Sequence, residues 1–282
     1  MFESALVPLR FDEPPELVQS LATFLKNFET RSIVLVHVVS SGLESVSGSE
    51  KRMRKLSRRL AEEGYDIETV VRTGSPALEI CTVADQREPS FICIPWRTKS
   101  FLQRTLLGNT TVDVARLTNF PLFVFKAHGR SSEATRLQNV LYATSLEGGH
   151  ETVISYLRDE HLAATHLYLL HVGWRAPDPW AELSRREEIF HQLSAIKNEC
   201  EGCFETIQTI SVVGNARRHI LREARERDVE LIVLGKHEDD REQAIESMLG
   251  STAERITHES NVSVLLIPSR RSKPQTEAPW NE

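Results

Sequence analysis

The sequence predicts an α/β fold of two tandem units, each a doubly wound parallel sheet of five strands, and three observations carry that expectation. Short apolar, β-branched runs such as SIVLVHVV at 32–39 and LIVL at 231–234 alternate with segments of helical period. Runs that are apolar at every position suit strands covered on both faces, as in a parallel sheet with helices above and below. Residues 231–268 read strand, glycine, loop, helix, strand, with Gly250-Ser251-Thr252 opening the helix. Such a helix start offers unpaired N–H groups at the positive end of the helix dipole and attracts anions. The third observation is repetition. Gly108 and Gly250 stand 142 residues apart, Pro95 and Gly235 140, Gly74 and Gly214 140, Gly64 and Gly202 138, and His37 and His171 134. So small a drift over half a chain marks a duplication.

Each element has a local cause. Residues 4–9 form a short first strand. Pro14-Pro15 opens a helix whose apolar stripe is Leu17, Leu21, Phe24, Leu25 and Phe28. The run at 32–39 is the second strand. A basic amphipathic helix covers 50–63 and is stopped by Gly64. Residues 67–71 are the third strand, and Gly74-Ser75-Pro76 starts the helix at 77–86. The strand at 91–94 leads into the loop that ends at Gly108, and 122–125 is the last strand of the first half. In the second half, strands are expected near 138–144, 166–172, 204–212, 230–234 and 262–267. Helices are expected at 150–163, 180–200, 216–227 and 249–259. The boundaries that follow are a first unit at 1–128, a polar aperiodic linker at 129–137 and a second unit at 138–269. The tail at 270–282, rich in charge and proline, is expected to be disordered. In sheets of this kind ligands bind at the carboxyl ends of the strands where the winding reverses, here the first and fourth strands of each unit.

Composition narrows the function classes. The chain has 282 residues and a net charge of −6. That balance argues against nucleic acid, which is bound through a basic face. With no apolar run of about 18 residues and no charged-then-apolar leader, neither a membrane partner nor a secretory signal is expected, and the location expected is cytoplasmic. Four cysteines do not build a disulfide framework in so long a chain. Cys200 and Cys203 form a C-x2-C, but no second pair accompanies it, and Gly202 matches the helix stop Gly64. A turn therefore explains the spacing better than a four-ligand zinc site, and no metal is expected. His37 and His171 repeat inside apolar strands, as expected of structurally satisfied histidines. Trp96 and Trp174 lie just past strand ends, near the expected ligand edge; Trp96 is placed to stack on a base, but a rim aromatic covering the sheet is the preferred reading. No G-x-S-x-G, H-E-x-x-H or intact P-loop is present.

At residues 250–256 and 264–268 (GSTAERI and VLLIP) the chain resembles the universal stress protein family, and both halves do so over nearly all of residues 3–269. The resemblance implies two Rossmann-like domains packed as a pseudo-dimer. It also implies a stress-response or regulatory role exerted by binding, with the last strands, 122–125 and 264–267, as contact elements. Members that bind ATP carry an aspartate ending the first strand and a G-x2-G-x9-G-[S/T] loop after the fourth. Here Arg10 and Ser145 stand in place of the aspartate. In the first half Pro95 and Thr98 replace the first two glycines and Asn109 follows Gly108 in place of Ser/Thr. In the second half Gly235, Gly250 and Ser251 remain, but Glu238 takes the second glycine's place and Gly250 comes fifteen residues after Gly235 instead of thirteen.

Charge divides the two loops as well. The first carries Arg97, Lys99 and Arg104 without a carboxylate, whereas the second carries Lys236 and His237 beside Glu238, Asp239, Asp240, Glu242 and Glu246. Candidate ligand-binding residues are Gly235, Gly250, Ser251 and Thr252 in the second half and Arg97, Gly108 and Asn109 in the first. The expected function is a non-enzymatic regulatory one through other proteins or a second copy of the chain, with degenerate ATP-binding motifs. The alternative is a sensor of ATP, AMP or another phosphorylated metabolite using one of these loops.

Overall fold

The computed structural model describes residues 1–11, 13–39, 46–96, 110–127, 136–148, 150–162, 164–236 and 251–268. The linker expected at 129–137 lies outside the described residues except for its last two positions. The tail at 270–282 and the candidate site residues Arg97, Gly108, Asn109 and Gly250 lie outside them entirely.

The first half runs β1 (Ser4–Pro8), α1 (Pro15–Lys26), β2 (Ser32–Val39), α2 (Val46–Glu62), β3 (Asp66–Thr73), α3 (Pro76–Arg87), β4 (Phe91–Trp96), α4 (Thr110–Leu117) and β5 (Leu122–Lys126). The second half repeats the order with β6 (Leu137–Thr144), α5 (His150–Leu157), β7 (Ala164–Gly173), α6 (Pro179–Glu199), β8 (Thr206–Val213), α7 (Ala216–Glu226), β9 (Leu231–Lys236), α8 (Ser251–Glu259) and β10 (Ser263–Pro268). Two differences from the sequence reading have local causes. Helix α2 starts at Val46, so the stretch expected as loop to residue 49 is partly helical, and Ser49 is buried with Met53 and Leu60. The helix expected over 150–163 ends at Leu157 and is followed by a 3-10 turn at Glu160–Leu162, which carries Leu162 into the core at 1% exposure.

Within each half every strand pair is parallel, in the orders β3-β2-β1-β4-β5 and β8-β7-β6-β9-β10. Strand β5 pairs antiparallel with β10, Val124 opposite Val264 and Phe123 opposite Leu265, so the two sheets join edge to edge as ten strands. This is the contact implied for 122–125 and 264–267. No position of β5 or β10 is exposed. Neither strand could serve as a solvated edge, and pairing the two satisfies both rows of backbone groups while helices cover both faces.

One face of the sheet packs against α1, α2, α5 and α6, the other against α3, α4, α7 and α8. The first face is built on aromatic rings around Phe2. Its ring lies 5.4 Å from Phe28, 5.6 Å from Phe91, 5.8 Å from Phe123 and 5.7 Å from Tyr156, so a residue next to the first Met stitches the two halves together. The duplication also shows in backbone shape. Phe11 and Leu146, each just beyond the first strand of its half, share φ of 65°, and Glu88 and Asp228, which follow α3 and α7, have φ of 45° and 47°.

Candidate functional site

The winding reverses between β6 and β9 in the second half, as it does between β1 and β4 in the first. Beyond the carboxyl ends of β6 and β9 lies a cavity of about 290 Å³. Its walls are the end of β6 (Tyr142, Thr144, Ser145), the start of α5 (His150, Val153), the end of β9 (Gly235, Lys236) and the start of α8 (Ser251, Thr252). Of the candidate residues, the structure thus brings Gly235, Ser251 and Thr252 to one cavity. Ser251 opens α8, so first-turn N–H groups stand at this wall with no intrahelical acceptor.

Gly235 is informative because the fold itself does not demand a glycine there. Its φ is not positive, and a Cβ would meet only Val153 Cγ2 at 3.4 Å, an ordinary contact. The missing side chain leaves the cavity floor open. His150, which the sequence reading did not single out, lines the cavity with a buried Nδ1 that has no hydrogen-bond partner. Only its position at the start of a helix after the first strand of the half could have suggested it. Burial pushes the Tyr142 hydroxyl up to about 12, so it stays a neutral donor.

The ammonium of the lysine that lines this cavity is bonded to the other half of the chain. Lys236 is 4% exposed, and its Nζ donates to Thr118 O at 2.8 Å, past the end of α4 in the other half. Ser145 stands at the end of β6, and its Oγ accepts from Glu147 N at 3.3 Å. The place where a carboxylate would be expected therefore holds a small hydroxyl.

In the first half, Arg10 is exposed, and its N donates to Glu13 Oε1 at 2.8 Å. The loop bearing Arg97, Gly108 and Asn109 lies outside the described residues. His37 Nδ1 donates to Leu9 O at 2.8 Å and His171 Nδ1 to Thr144 O at 3.1 Å, so each ties the end of one strand to its neighbour. Burial lowers the His171 pKa, which keeps that ring neutral. Both histidines are structural, as expected.

The two tryptophans part company. Trp96 packs edge-on against His258, centroids 5.3 Å apart, and lies 5.3 Å from Lys126 Nζ, so it closes the joint between the halves. Trp174 does not cover the sheet but is 86% exposed, and two residues after it Ala176 N donates to Glu182 Oε2 at 2.9 Å. That bond and the ion pairs to Arg186 and Arg185 lower the Glu182 pKa to about 2. Cys200 and Cys203 are free thiols, with Cys203 N donating to Cys200 O at 3.1 Å in the turn around Gly202 (φ 85°).

A larger groove of about 670 Å³ lies beside α1, near the starts of β6, β9 and β10. Its rim mixes Arg136 and Arg225 with Asp228, Glu230 and Glu259, which gives no preferred sign of ligand charge. Among the described residues no group of three or more His, Cys, Asp or Glu side chains could hold a metal ion, and no helix is long and apolar enough to cross a membrane.

Known proteins share this architecture. A model of the universal stress protein family matches residues 1–126 and again 137–268. Universal stress protein MJ0577 of Methanocaldococcus jannaschii is 23% identical over 155 residues, 45% of this chain and 96% of the relative. Among solved structures, a universal stress protein from Archaeoglobus fulgidus aligns with a TM-score of 0.71 at 20% identity, covering 96% of this chain and 100% of that one. A functionally unknown protein, PA1789 of Pseudomonas aeruginosa, aligns at 0.69 with 19% identity over 95% and 92% of the two chains. These structural likenesses speak to the fold.

Proposed function

Because this chain belongs to the universal stress protein family, we propose that it acts by binding rather than turnover, and that its second half takes an adenine nucleotide, AMP in preference to ATP. The output of binding is a regulatory contact with other proteins or with a second copy of the chain. The observation that carries this reading is the cavity wall, where an open floor at Gly235 faces the first N–H groups of α8 and the unpartnered His150 Nδ1. A phosphate suits the helix start without any lysine. The cavity volume of about 290 Å³ sits at the small end of ligand pockets, which favours the shorter phosphate chain. Glu238, Asp239 and Asp240 in the adjoining loop sequence also oppose a triphosphate more than a monophosphate.

Calorimetric titration of the full chain with AMP and with ATP, repeated on Gly235→Leu, tests this. The expected result is AMP binding that the variant weakens by about tenfold or more, a loss of about 1.4 kcal/mol. The thermal midpoint and circular dichroism of the variant establish that it is folded, since a Cβ at 235 already touches the buried Val153 at 3.4 Å. Equal binding by the variant, or no heat with either nucleotide, sinks the proposal.

A second reading, ligand-independent protein interaction through the degenerate loops, is favoured by one observation. Lys236 is spent on the joint between the halves, and Ser145 offers no carboxylate. A partner contact unchanged by AMP would select it.

A further inference from the structure

Helix α2 carries Lys51, Arg52, Arg54, Lys55, Arg58 and Arg59 within nine residues, all of them exposed, in a chain whose net charge is −6. At about 100° per residue the six side chains spread over the helix face opposite the buried Met53 and Leu60. Lys51 and Lys55, Arg54 and Arg58, and Lys55 and Arg59 are like charges four residues apart, an arrangement that weakens a helix on its own. Burial of the apolar face holds the helix together despite this. Among the described residues, Lys51, Arg54, Lys55, Arg58 and Arg59 enter no ion pair, whereas Arg52 lies 5.8 Å from the Phe11 ring centroid.

The matching helix of the second half handles its charge differently. On α6, Glu182 pairs with Arg185 at 2.9 Å and with Arg186 at 2.8 Å, so that part of its surface neutralises itself. The uncompensated charge of α2 is therefore particular to this helix and not a property of the repeat.

The surroundings select the partner. Glu50 precedes the cationic stretch and Glu62 and Glu63 follow it. Carboxylates at both ends limit the footprint to about 14 Å at 1.5 Å per residue. Duplex nucleic acid, with one charge per roughly 1.7 Å along its whole length, would run past that footprint onto a net acidic molecule. An amphipathic helix that enters a bilayer must present its apolar face, and here Met53 and Leu60 are buried in the core. A short acidic segment meets the cations of this face, among them the guanidiniums of Arg54, Arg58 and Arg59, each able to grip a carboxylate through two parallel hydrogen bonds.

We propose that the outer face of α2 is a docking surface for a short, acidic protein segment. The surface is separate from the second-half cavity, and its occupancy does not depend on nucleotide.

The test uses the full chain and a fluorescently labelled decaglutamate peptide, with binding read by anisotropy at low salt. Expected is saturable binding that Arg54→Glu, Lys55→Glu and Arg58→Glu together weaken by about tenfold or more. The charge-conserving set Arg54→Lys, Lys55→Arg and Arg58→Lys should stay within about threefold of the parent. Reversing Arg217, Arg218 and Arg222 on α7, where Arg217 and Arg222 are already ion-paired, should leave binding unchanged. Circular dichroism of each variant establishes that it is folded; if the triple reversal unfolds the chain, Arg58→Glu alone, expected to weaken binding about threefold, takes its place. The proposal is overturned by equal peptide binding in the α2 reversal or by equal loss in the α7 reversal. It is also overturned if duplex DNA or phosphatidylserine vesicles bind more tightly than the peptide with the same dependence on α2.

Discussion

The last helix of each half is met at its carboxyl end by a lysine from the other half, yet the two lysines do not correspond. Lys126, the final residue of β5, donates to Thr257 O at 2.5 Å and Ser260 O at 2.6 Å around the end of α8. Lys236, the final residue of β9, donates to Thr118 O at 2.8 Å beyond α4. Thr118 and Ser260 are 142 residues apart and occupy equivalent places in the repeat, but Lys126 is matched by Pro268 and Lys236 by Trp96. What the two halves share is thus the acceptor, not the donor. A helix end whose carbonyls face a buried joint needs a cation or another donor there, and either of two neighbouring strand ends can deliver it. Duplication supplied the geometry, and each half then filled it with whichever side chain reached.

The comparison can be broken at several points. The largest effect is expected at Phe2, whose equivalent in the second half is the aliphatic Leu137. Phe2→Ala should destabilise the chain by about 4 kcal/mol, since a fully buried ring in contact with four others leaves a cavity spanning both halves. Equilibrium urea unfolding measures it, and a loss below about 1 kcal/mol would mean that the halves do not depend on the shared aromatic cluster.

The two lysines come next and in a definite order. Lys126→Ala strands two buried carbonyls and removes the contact with Trp96, for about 3 kcal/mol, whereas Lys236→Ala strands the Thr118 carbonyl, for about 1.5 kcal/mol. A reversed order would show that Lys236 has the larger part in holding the joint.

Titration sharpens the same contrast. Burial pulls the Lys126 pKa down to about 7 from the ordinary lysine value of 10.5. Between those two pH values the unfolded chain binds more protons at this residue than the folded one, so its contribution makes stability rise with pH; below about 7 that contribution levels off. The two helix carbonyls favour the ammonium and work against this, so the rise from pH 7 to 9.5 measures how far burial outweighs them. Lys126→Met should flatten the profile over that window in urea unfolding, and an unchanged slope would assign it to other groups.

The smallest effect belongs to the ion pair of Arg116 with Glu254 at 3.0 Å, which also crosses the joint. His258 stands where the repeat would place a second arginine, so this bridge has no twin. Both side chains are substantially exposed, and Arg116→Ala should cost no more than about 0.5 kcal/mol.

Much of this architecture could be read from the chain. The apolar runs at 32–39, 122–125 and 231–234 permit no solvated face, so they had to be interior strands. The spacing of Gly64 from Gly202 placed two helix stops and explained the C-x2-C without a metal, and the repeat of His37 and His171 inside strands marked them as structural. The candidate site was legible only in part. Gly235, Ser251 and Thr252 were visible because a helix start after a strand and a glycine is a local pattern. His150 was not visible, because its place in the cavity depends on how α5 sits over β9. Nor was the diversion of Lys236, whose acceptor lies 118 residues earlier in the chain.

The sequence by itself determined the duplication, the order of strands and helices and the chemistry displayed at each loop, because these follow from periodicity within each element and from spacings that recur between the two halves. Only the tertiary structure decided which groups are spent on holding the halves together and which are left for a ligand. The reason is physical: a lysine beside a phosphate-binding loop and a lysine capping a distant helix look the same along the chain, and they differ only in which acceptor the packed sheet brings within about 3 Å.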